Sequence, residues 1–222
     1  MSDSAVSRLR VLSTAAASDA LDRLGLPGSA YGIAPLVAGQ RMAGRAFTVR
    51  YVPAGAGGGT VGDYLDDCRP GDVAVLDNDG RLNCTVWGDI LTSYARQRGL
   101  VGTVINGVCR DVAHATQLAY PIFSRGRFMR TGKDRVIVAE VGGVVTLGDV
   151  QVRAGDIVIG DDDGVVVVPA EHAEVVCRTG EGIAQAEDAI VADLANGVSL
   201  ADARRSHGYH DLQKRETADA TH

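Results

Sequence analysis

Aromatic residues are scarce in this chain: Phe, Tyr and Trp make up 5% of 222 residues, with a single Trp. Platforms that stack on unpaired bases are built from such rings, so that function class is excluded. Positive charge is also in the minority. Lys plus Arg number 22 against 28 Asp plus Glu, a formal net charge of −6, which argues against a broad phosphate-binding face and a nucleic-acid partner. No apolar run approaches the roughly 20 residues that cross a bilayer. The opening MSDSAVSRLR lacks the apolar stretch of a secretory signal. No membrane partner is therefore expected, and the expected location is the cytoplasm. The four cysteines (Cys68, Cys84, Cys109, Cys177) form no CxxC pair, which excludes a zinc knuckle or a thioredoxin-type motif and leaves buried or half-buried thiols. The glycine-rich stretch Pro53 to Thr60 has no GK[ST] after it, so it is no phosphate-binding P-loop. It reads as a loose surface loop or as a mobile lid over a site.

What remains is the composition of a globular protein, 45% hydrophobic and 23% charged, with no internal repeat and no Pro-rich linker. The length suits one large domain with a substantial core. Apolar residues recur at helical spacing from Val6 to Leu24, and Gly25 with Pro27 ends the run. GRAFTVRYV (44–52) alternates as a strand does. From Asp72 onward the pattern is regular: strand 72–78, helix 89–98 closed by Gly99, strand 100–106, helix 111–119, and a further strand from Pro121. Strands alternating with helices imply right-handed βαβ crossovers and a parallel segment. Between 136 and 169, short β runs separated by Gly and Asp predict a meander or a small barrel-like layer. A long helix follows from about Ala170 to Asn196, stopped by Gly197. The expected fold is α/β: a layered α-β-β-α sandwich with a central parallel βαβ segment, a C-terminal β meander and a long helix. One domain over 1–204 and a charged tail over 205–222, carrying His207, His210 and His222, are expected.

Ligands of open α/β sheets bind beyond the carboxyl ends of the strands. Two loops at such ends carry chemistry: Trp87-Gly88-Asp89-Ile90-Leu91 at a helix start, and Gly107-Val108-Cys109-Arg110-Asp111 between a strand and a helix. Fed by neighbouring strands, they would bring Asp89, Arg110 and Asp111 into one pocket. Taken singly, each has a plainer reading: Asp89 and Asp111 as helix-capping acids, Arg110 as a salt-bridge partner.

The spacing narrows the choice. Asp89, twenty intervening residues, then Arg110-Asp111, with Gly88 before and a strand between, resembles the RraA-like family. That family includes the class II 4-hydroxy-4-methyl-2-oxoglutarate aldolases and the proteins named regulator of ribonuclease activity A. VINGVCRD (104–111), PIFSRG (121–126), VRAGDIVIGDDDGVVVVP (152–169) and NGVSLADAR (196–204) carry the same resemblance, which runs to about Arg204. The resemblance implies that Asp111 ligates a divalent metal, magnesium or manganese, and that Arg110 contacts the pyruvyl oxygen. It also implies that the amides of Gly88, Asp89, Ile90 and Leu91 hold the pyruvate carboxylate, and that Asp89 orients a metal-bound water. These parts suit one another: a helix N-terminus favours a carboxylate, a hard cation polarises a 2-oxo group, and arginine supplies a fixed donor where negative charge develops.

One position departs from the pattern. Active aldolases, as the resemblance goes, carry an acid three residues after the metal aspartate; here it is His114. On a helix it shares a face with residue 111, so it reads either as a metal ligand favouring a softer ion or as a packing histidine. Glu187 on the long helix is the candidate for a glutamate that approaches the metal from an adjacent subunit, or else belongs to a solvated face. Glu171-His172-Ala173-Glu174 is not HExxH and reads as a helix start, and Asp161-Asp162-Asp163-Gly164 reads as a turn. The expected activity is a metal-dependent lyase that cleaves 4-hydroxy-2-oxo dicarboxylic acids to pyruvate, with oxaloacetate decarboxylation as a side reaction, in a homotrimer or hexamer. The rival is a non-catalytic inhibitor that binds a ribonuclease directly.

Overall fold

The computed structural model describes residues 4–212 and residue 214. In chain order the elements begin with α1 (Ser4–Leu9), α2 (Thr14–Leu24), β1 (Ala34–Pro35), β2 (Met42–Pro53) and β3 (Asp72–Thr85). The alternating part follows as α3 (Asp89–Gln97), β4 (Gly102–Cys109), α4 (Val112–Gln117) and β5 (Ile122–Arg127). Then come β6 (Val136–Val141), β7 (Val145–Leu147), β8 (Val150–Val152), β9 (Ile157–Asp161) and β10 (Gly164–Val168). The chain ends in α5 (Ala173–Ala195) and α6 (Leu200–Ser206). Among the described residues no helix is long and apolar enough to cross a membrane.

Strands β2, β3, β4 and β5 are parallel neighbours, and α3 joins β3 to β4 and α4 joins β4 to β5 in the expected βαβ manner. Antiparallel strands complete an eight-stranded mixed sheet: β1 on β5, β9 on β2, β10 on β9, and β6 on β2. The side chains divide by parity. Val73, Val75, Val104, Val158, Val165 and Val167 point to one face, where Val145, Leu147, Val150 and Val152 of the β7–β8 hairpin cover them. Ala74, Leu76 and Ile105 point to the other, under α3 and α4; Ile157, Ile159, Val166 and Val168 lie on the face packed by α1, α2 and α5. Burial on both faces explains why these strands read as unbroken apolar runs. The layered mixed α/β fold is therefore present, with a second β layer of two strands. The helices gather on one side because the hairpin's four apolar side chains close the other.

Three features differ from the sequence expectation. The helical run from Val6 breaks between α1 and α2, because Ser13 is extended and its hydroxyl accepts the Ala16 amide as an N-cap. The β runs after Val136 pair in series only as the hairpins β7–β8 and β9–β10. β9 takes Met42 to Arg45 of β2 and β6 takes Val49 to Pro53, so the two share one long strand's edge while β7–β8 crosses the sheet face. β3 extends to Thr85, with Asp79 and Gly80 both at positive φ and two register shifts against β4. The Asp161–Gly164 stretch is the β9–β10 turn, as expected, and all four cysteines are free and buried. α6 crosses position 204, and half of the charged tail, including His222, lies outside the described residues.

A buried carboxylate ties the layers together. Asp77 Oδ1 accepts from Asn106 Nδ2 and the Asp79 amide, both at 2.9 Å, while Oδ2 accepts the Thr146 amide at 3.0 Å. Removing it strands three donors, of which the Asn106 amide is buried. Asp77→Ala is expected to lower stability by about 2–3 kcal/mol in urea denaturation, and Asp77→Asn to recover part of that. An unchanged midpoint for Asp77→Ala would show that the hairpin holds by apolar packing alone.

Candidate active site

Parallel pairing of β3 with β4 sets Thr85 opposite Val108, so the loops that leave the two strand ends run side by side. They are stitched at once: the Arg110 amide donates to the Trp87 carbonyl at 3.2 Å, and the Thr85 hydroxyl lies 2.8 Å from the Val108 carbonyl. Trp87 is buried, stacks on Tyr120 and donates from Nε1 to Thr92 Oγ1 at 2.9 Å. The Thr92 hydroxyl in turn donates to the Gly88 carbonyl. The start of α3 is thereby fixed from below by a ring and a hydroxyl.

Asp111 sits at the entry to α4 in the left-handed region, φ 59°, and its side chain does not cap that helix. The carboxylate turns instead toward α3. Its Oδ2 accepts from the Asp89 amide at 3.1 Å and faces Arg110 Nε at 3.1 Å. Both contacts fall on one oxygen, and Oδ1 has no protein donor among the described residues. Gly88 is extended, φ −152°, so its lack of a side chain serves space rather than torsion. A Cβ there would lie 2.7 Å from Asp111 Oδ2 and 3.0 Å from Arg110 Nε. Asp89, Arg110 and Asp111 are thus brought together as the sequence suggested.

A cleft of about 190 Å³ opens beside them, lined by Gly88 to Leu91, Arg110, Thr85 and Thr131, with Thr60 to Asp63 as the opposite wall. Val61, Gly62, Asp63 and Thr131 are absent from the sequence prediction; the glycine-rich stretch Pro53 to Thr60, read as a loose loop or a lid over a site, reaches only the first residue of that wall. That stretch is pinned rather than loose. The Ala54 amide donates to the Arg135 carbonyl, the Gly59 carbonyl accepts from the Asp134 amide, and a Cβ on Gly59 would collide with Ile137. Of the four helix-start amides expected to hold a carboxylate, two are used internally: that of Asp89 on Asp111, and that of Ile90 on Asp89 Oδ1 at 2.8 Å. The Gly88 and Leu91 amides have no acceptor among the described residues.

His114 Nε2 lies 2.7 Å from Ser93 Oγ, which ties α4 to α3. Among the described residues no group of three or more His, Cys, Asp or Glu is placed to hold a metal. The donor set nonetheless fits magnesium, which keeps most of its waters and takes one or two carboxylates. Asp111 Oδ1 is such a donor, and the exposed Asp89 carboxylate is a second oxygen at the same helix start. Cys109, next to Arg110, offers no nucleophile: burial pushes its thiol up to about 12.

Glu187 lies on α5, off the cleft lining of its own chain, where burial, then Asp19 and Asp188, raise its carboxyl above the usual range. A raised carboxyl pKa means the folded state binds the proton more tightly, so the ionised form costs stability as pH rises above the unfolded value and the cost is absent in acid. Glu187→Gln is expected to raise the thermal midpoint near neutral pH, with the gain vanishing at low pH. A lower midpoint near neutrality would instead show that the ionised carboxylate is held by a favourable partner.

The comparisons with known proteins come down on one family. The family model described as RraA-like, aldolase/RraA, matches residues 14–167. "Protein DlpA" of Legionella pneumophila is 36% identical over 195 residues, which is 86% of this chain and 32% of that protein, so the chain spans about a third of that relative's length. A Halalkalibacterium halodurans protein named "Putative 4-hydroxy-4-methyl-2-oxoglutarate aldolase" is 32% identical over 173 residues, 78% of this chain and 80% of its own. Among solved structures, Streptomyces coelicolor RraAS2, described as an unusual member of the RNase ES inhibitor RraA protein family, superposes with a TM-score of 0.77. It is 28% identical and covers 85% of this chain and 96% of its own. With the matched stretch holding both loops and the sheet that aligns them, the chain belongs to the RraA-like family.

Proposed function

We propose that this protein is a divalent-metal-dependent lyase that releases pyruvate from 4-hydroxy-2-oxo acids, with oxaloacetate decarboxylation as a side reaction. The observation that carries the reading is the arrangement at Asp111: one carboxylate oxygen clasped by Arg110 and the α3 start, the other uncommitted, next to Gly88, Asp89 and Arg110 of the cleft lining. A surface evolved only to dock on another protein has no need of that arrangement. At about 190 Å³ the cleft suits a metabolite rather than a polymer.

In this reading Asp111 would hold the cation, which when bound would draw charge from the substrate's 2-oxo group and so ease carbanion character at C3. The free Gly88 and Leu91 amides at the positive end of α3 bind the substrate's C1 carboxylate. Arg110 keeps its terminal N–H groups for the 2-oxo oxygen, because Nε is held by Asp111 and the fork is thereby oriented. Asp89 carries the proton: its carboxylate takes the C4 hydroxyl proton as the C3–C4 bond breaks and returns it to C3. Assembly as a trimer or hexamer, with Glu187 of one subunit approaching a neighbour's cleft, belongs to the same proposal.

The test is pyruvate release from oxaloacetate and from hydroxy-oxo acids, with magnesium or manganese supplied and then chelated. Asp111→Ala is expected to abolish release at saturating metal while the thermal midpoint stays within a few degrees. Full activity in that variant removes Asp111 from the site. A wild type inactive with every metal, yet able to inhibit a ribonuclease, would establish the rival reading.

Arg110→Lys is expected to lower kcat/KM by about 10²-fold, since lysine keeps the charge and loses the planar fork. Gly88→Ala should behave similarly, because its Cβ displaces both clasped groups while φ −152° tolerates any residue. Unchanged kcat/KM in either variant would show that the clasp is structural only.

A further inference from the structure

The proposed reaction leaves the substrate's far end open, and the wall facing it has a definite charge. Among the described residues of this chain that line the cleft, Asp63, Asp89 and Arg110 are charged, and only Arg110 is a cation. Arg110 is held through Nε on Asp111, and the proposed reaction assigns its remaining donors to the 2-oxo group. Asp63 is exposed and opens a single 3-10 turn without capping it, and its carboxylate has no donor among the described residues. Beside it stand two hydroxyls. Thr60 Oγ1 accepts the Gly62 amide and Thr131 Oγ1 accepts the Lys133 amide, so each retains its own O–H to donate.

The next cations are engaged elsewhere or lie off the lining. Arg130 lies over the Phe128 ring, 5.6 Å from its centroid. Arg135 Nη1 donates to the carbonyls of Thr131 and Lys133, both at 3.2 Å. The Lys133 side chain is exposed and outside the lining.

We infer that the cleft selects 4-hydroxy-2-oxo acids whose distal end is neutral and hydroxylated, and disfavours those ending in a second carboxylate. A distal hydroxyl can donate to Asp63 and accept from Thr60 or Thr131. A distal carboxylate can only accept, and it would meet Asp63 as a like charge. This rests on the lyase reading above and departs from the dicarboxylic substrates that the family resemblance implied. The step is a retro-aldol cleavage. The C3–C4 bond breaks with its electron pair left on C3, the C4 hydroxyl gives up its proton to become the aldehyde carbonyl, and C3 takes a proton to complete pyruvate. No oxidant or reductant is needed.

The experiment has two stages. Exchange of the pyruvate C3 protons for deuterium, with magnesium or manganese present, reports the carbanion whatever the tail. No exchange overturns the lyase reading and this inference with it. With exchange established, the matched pair is 4,5-dihydroxy-2-oxopentanoate and 4-hydroxy-2-oxoglutarate, which differ only in CH2OH against carboxylate. Wild type is expected to favour the neutral member by about tenfold or more in kcat/KM. Asp63→Asn should shrink that ratio severalfold, mostly through a lower KM for the dicarboxylate; intrinsic reactivity cancels between wild type and variant. Binding gives an independent reading. By calorimetry, Asp63→Asn should tighten 2-oxoglutarate relative to 5-hydroxy-2-oxopentanoate. A wild-type preference for the dicarboxylate, or a ratio that Asp63→Asn leaves untouched in both measurements, overturns the inference.

Discussion

A single carboxylate oxygen, Asp111 Oδ2, is the side-chain junction between two loops whose backbones the sheet already sets side by side. It holds the first turn of α3 through the Asp89 amide and the guanidinium of its own neighbour, Arg110. Much else in the chain serves that junction. Parallel pairing of β3 and β4 sets the loop origins side by side. The left-handed backbone at Asp111 costs free energy in a non-glycine residue, and it turns the carboxylate away from capping α4 and toward α3. Gly88 leaves the space into which the carboxylate fits. Trp87, wedged against Tyr120 and bonded to Thr92, keeps the α3 start from yielding.

The platform beneath is stiff for a related reason. Alternate residues of the inner strands point into two different apolar layers, one under helices and one under the β7–β8 hairpin. Neither face can slip by one residue without exchanging its whole set of side chains. Polar groups enter this interior only where they are satisfied, as Asp77 is by three donors. A rigid sheet makes the distance between two strand ends a fixed quantity, and that lets a cleft of about 190 Å³ hold a defined shape.

Much of this was legible in the sequence, in proportion to how local its cause is. Gly25 ends α2 with a left-handed cap, and the alternation from Asp72 onward folds as parallel βαβ units, because caps and periods are written within a few residues. Asp89, Arg110 and Asp111 converge because the topology that joins them follows from that alternation. What was not legible depends on partners far along the chain. The break between α1 and α2 is masked by apolar residues that continue in helical register across it. The stretch leading to the cleft wall is held at Ala54 and Gly59 by Arg135 and Asp134, more than seventy residues onward, and no local pattern announces that contact. The division of β2 between β9 and β6 is likewise set by its length and by the shift at Arg50 and Tyr51.

His114 shows how a departure from a family pattern can be absorbed. An acid at that position would add a second negative charge one helical turn from Asp111 and offer another oxygen to a cation. The imidazole instead reaches Ser93 on the neighbouring helix, so its Nε2 is engaged before any metal arrives. A cation at Asp111 Oδ1 would then complete its shell with water and substrate oxygens, which favours a hard ion over one that seeks nitrogen. The charge that the acid would have brought is partly supplied by Asp89, on the other loop at the same junction. The contact of His114 with Ser93 is a clip between α3 and α4, and what the clip holds is the spacing of the two loops on which Asp89 and Asp111 stand.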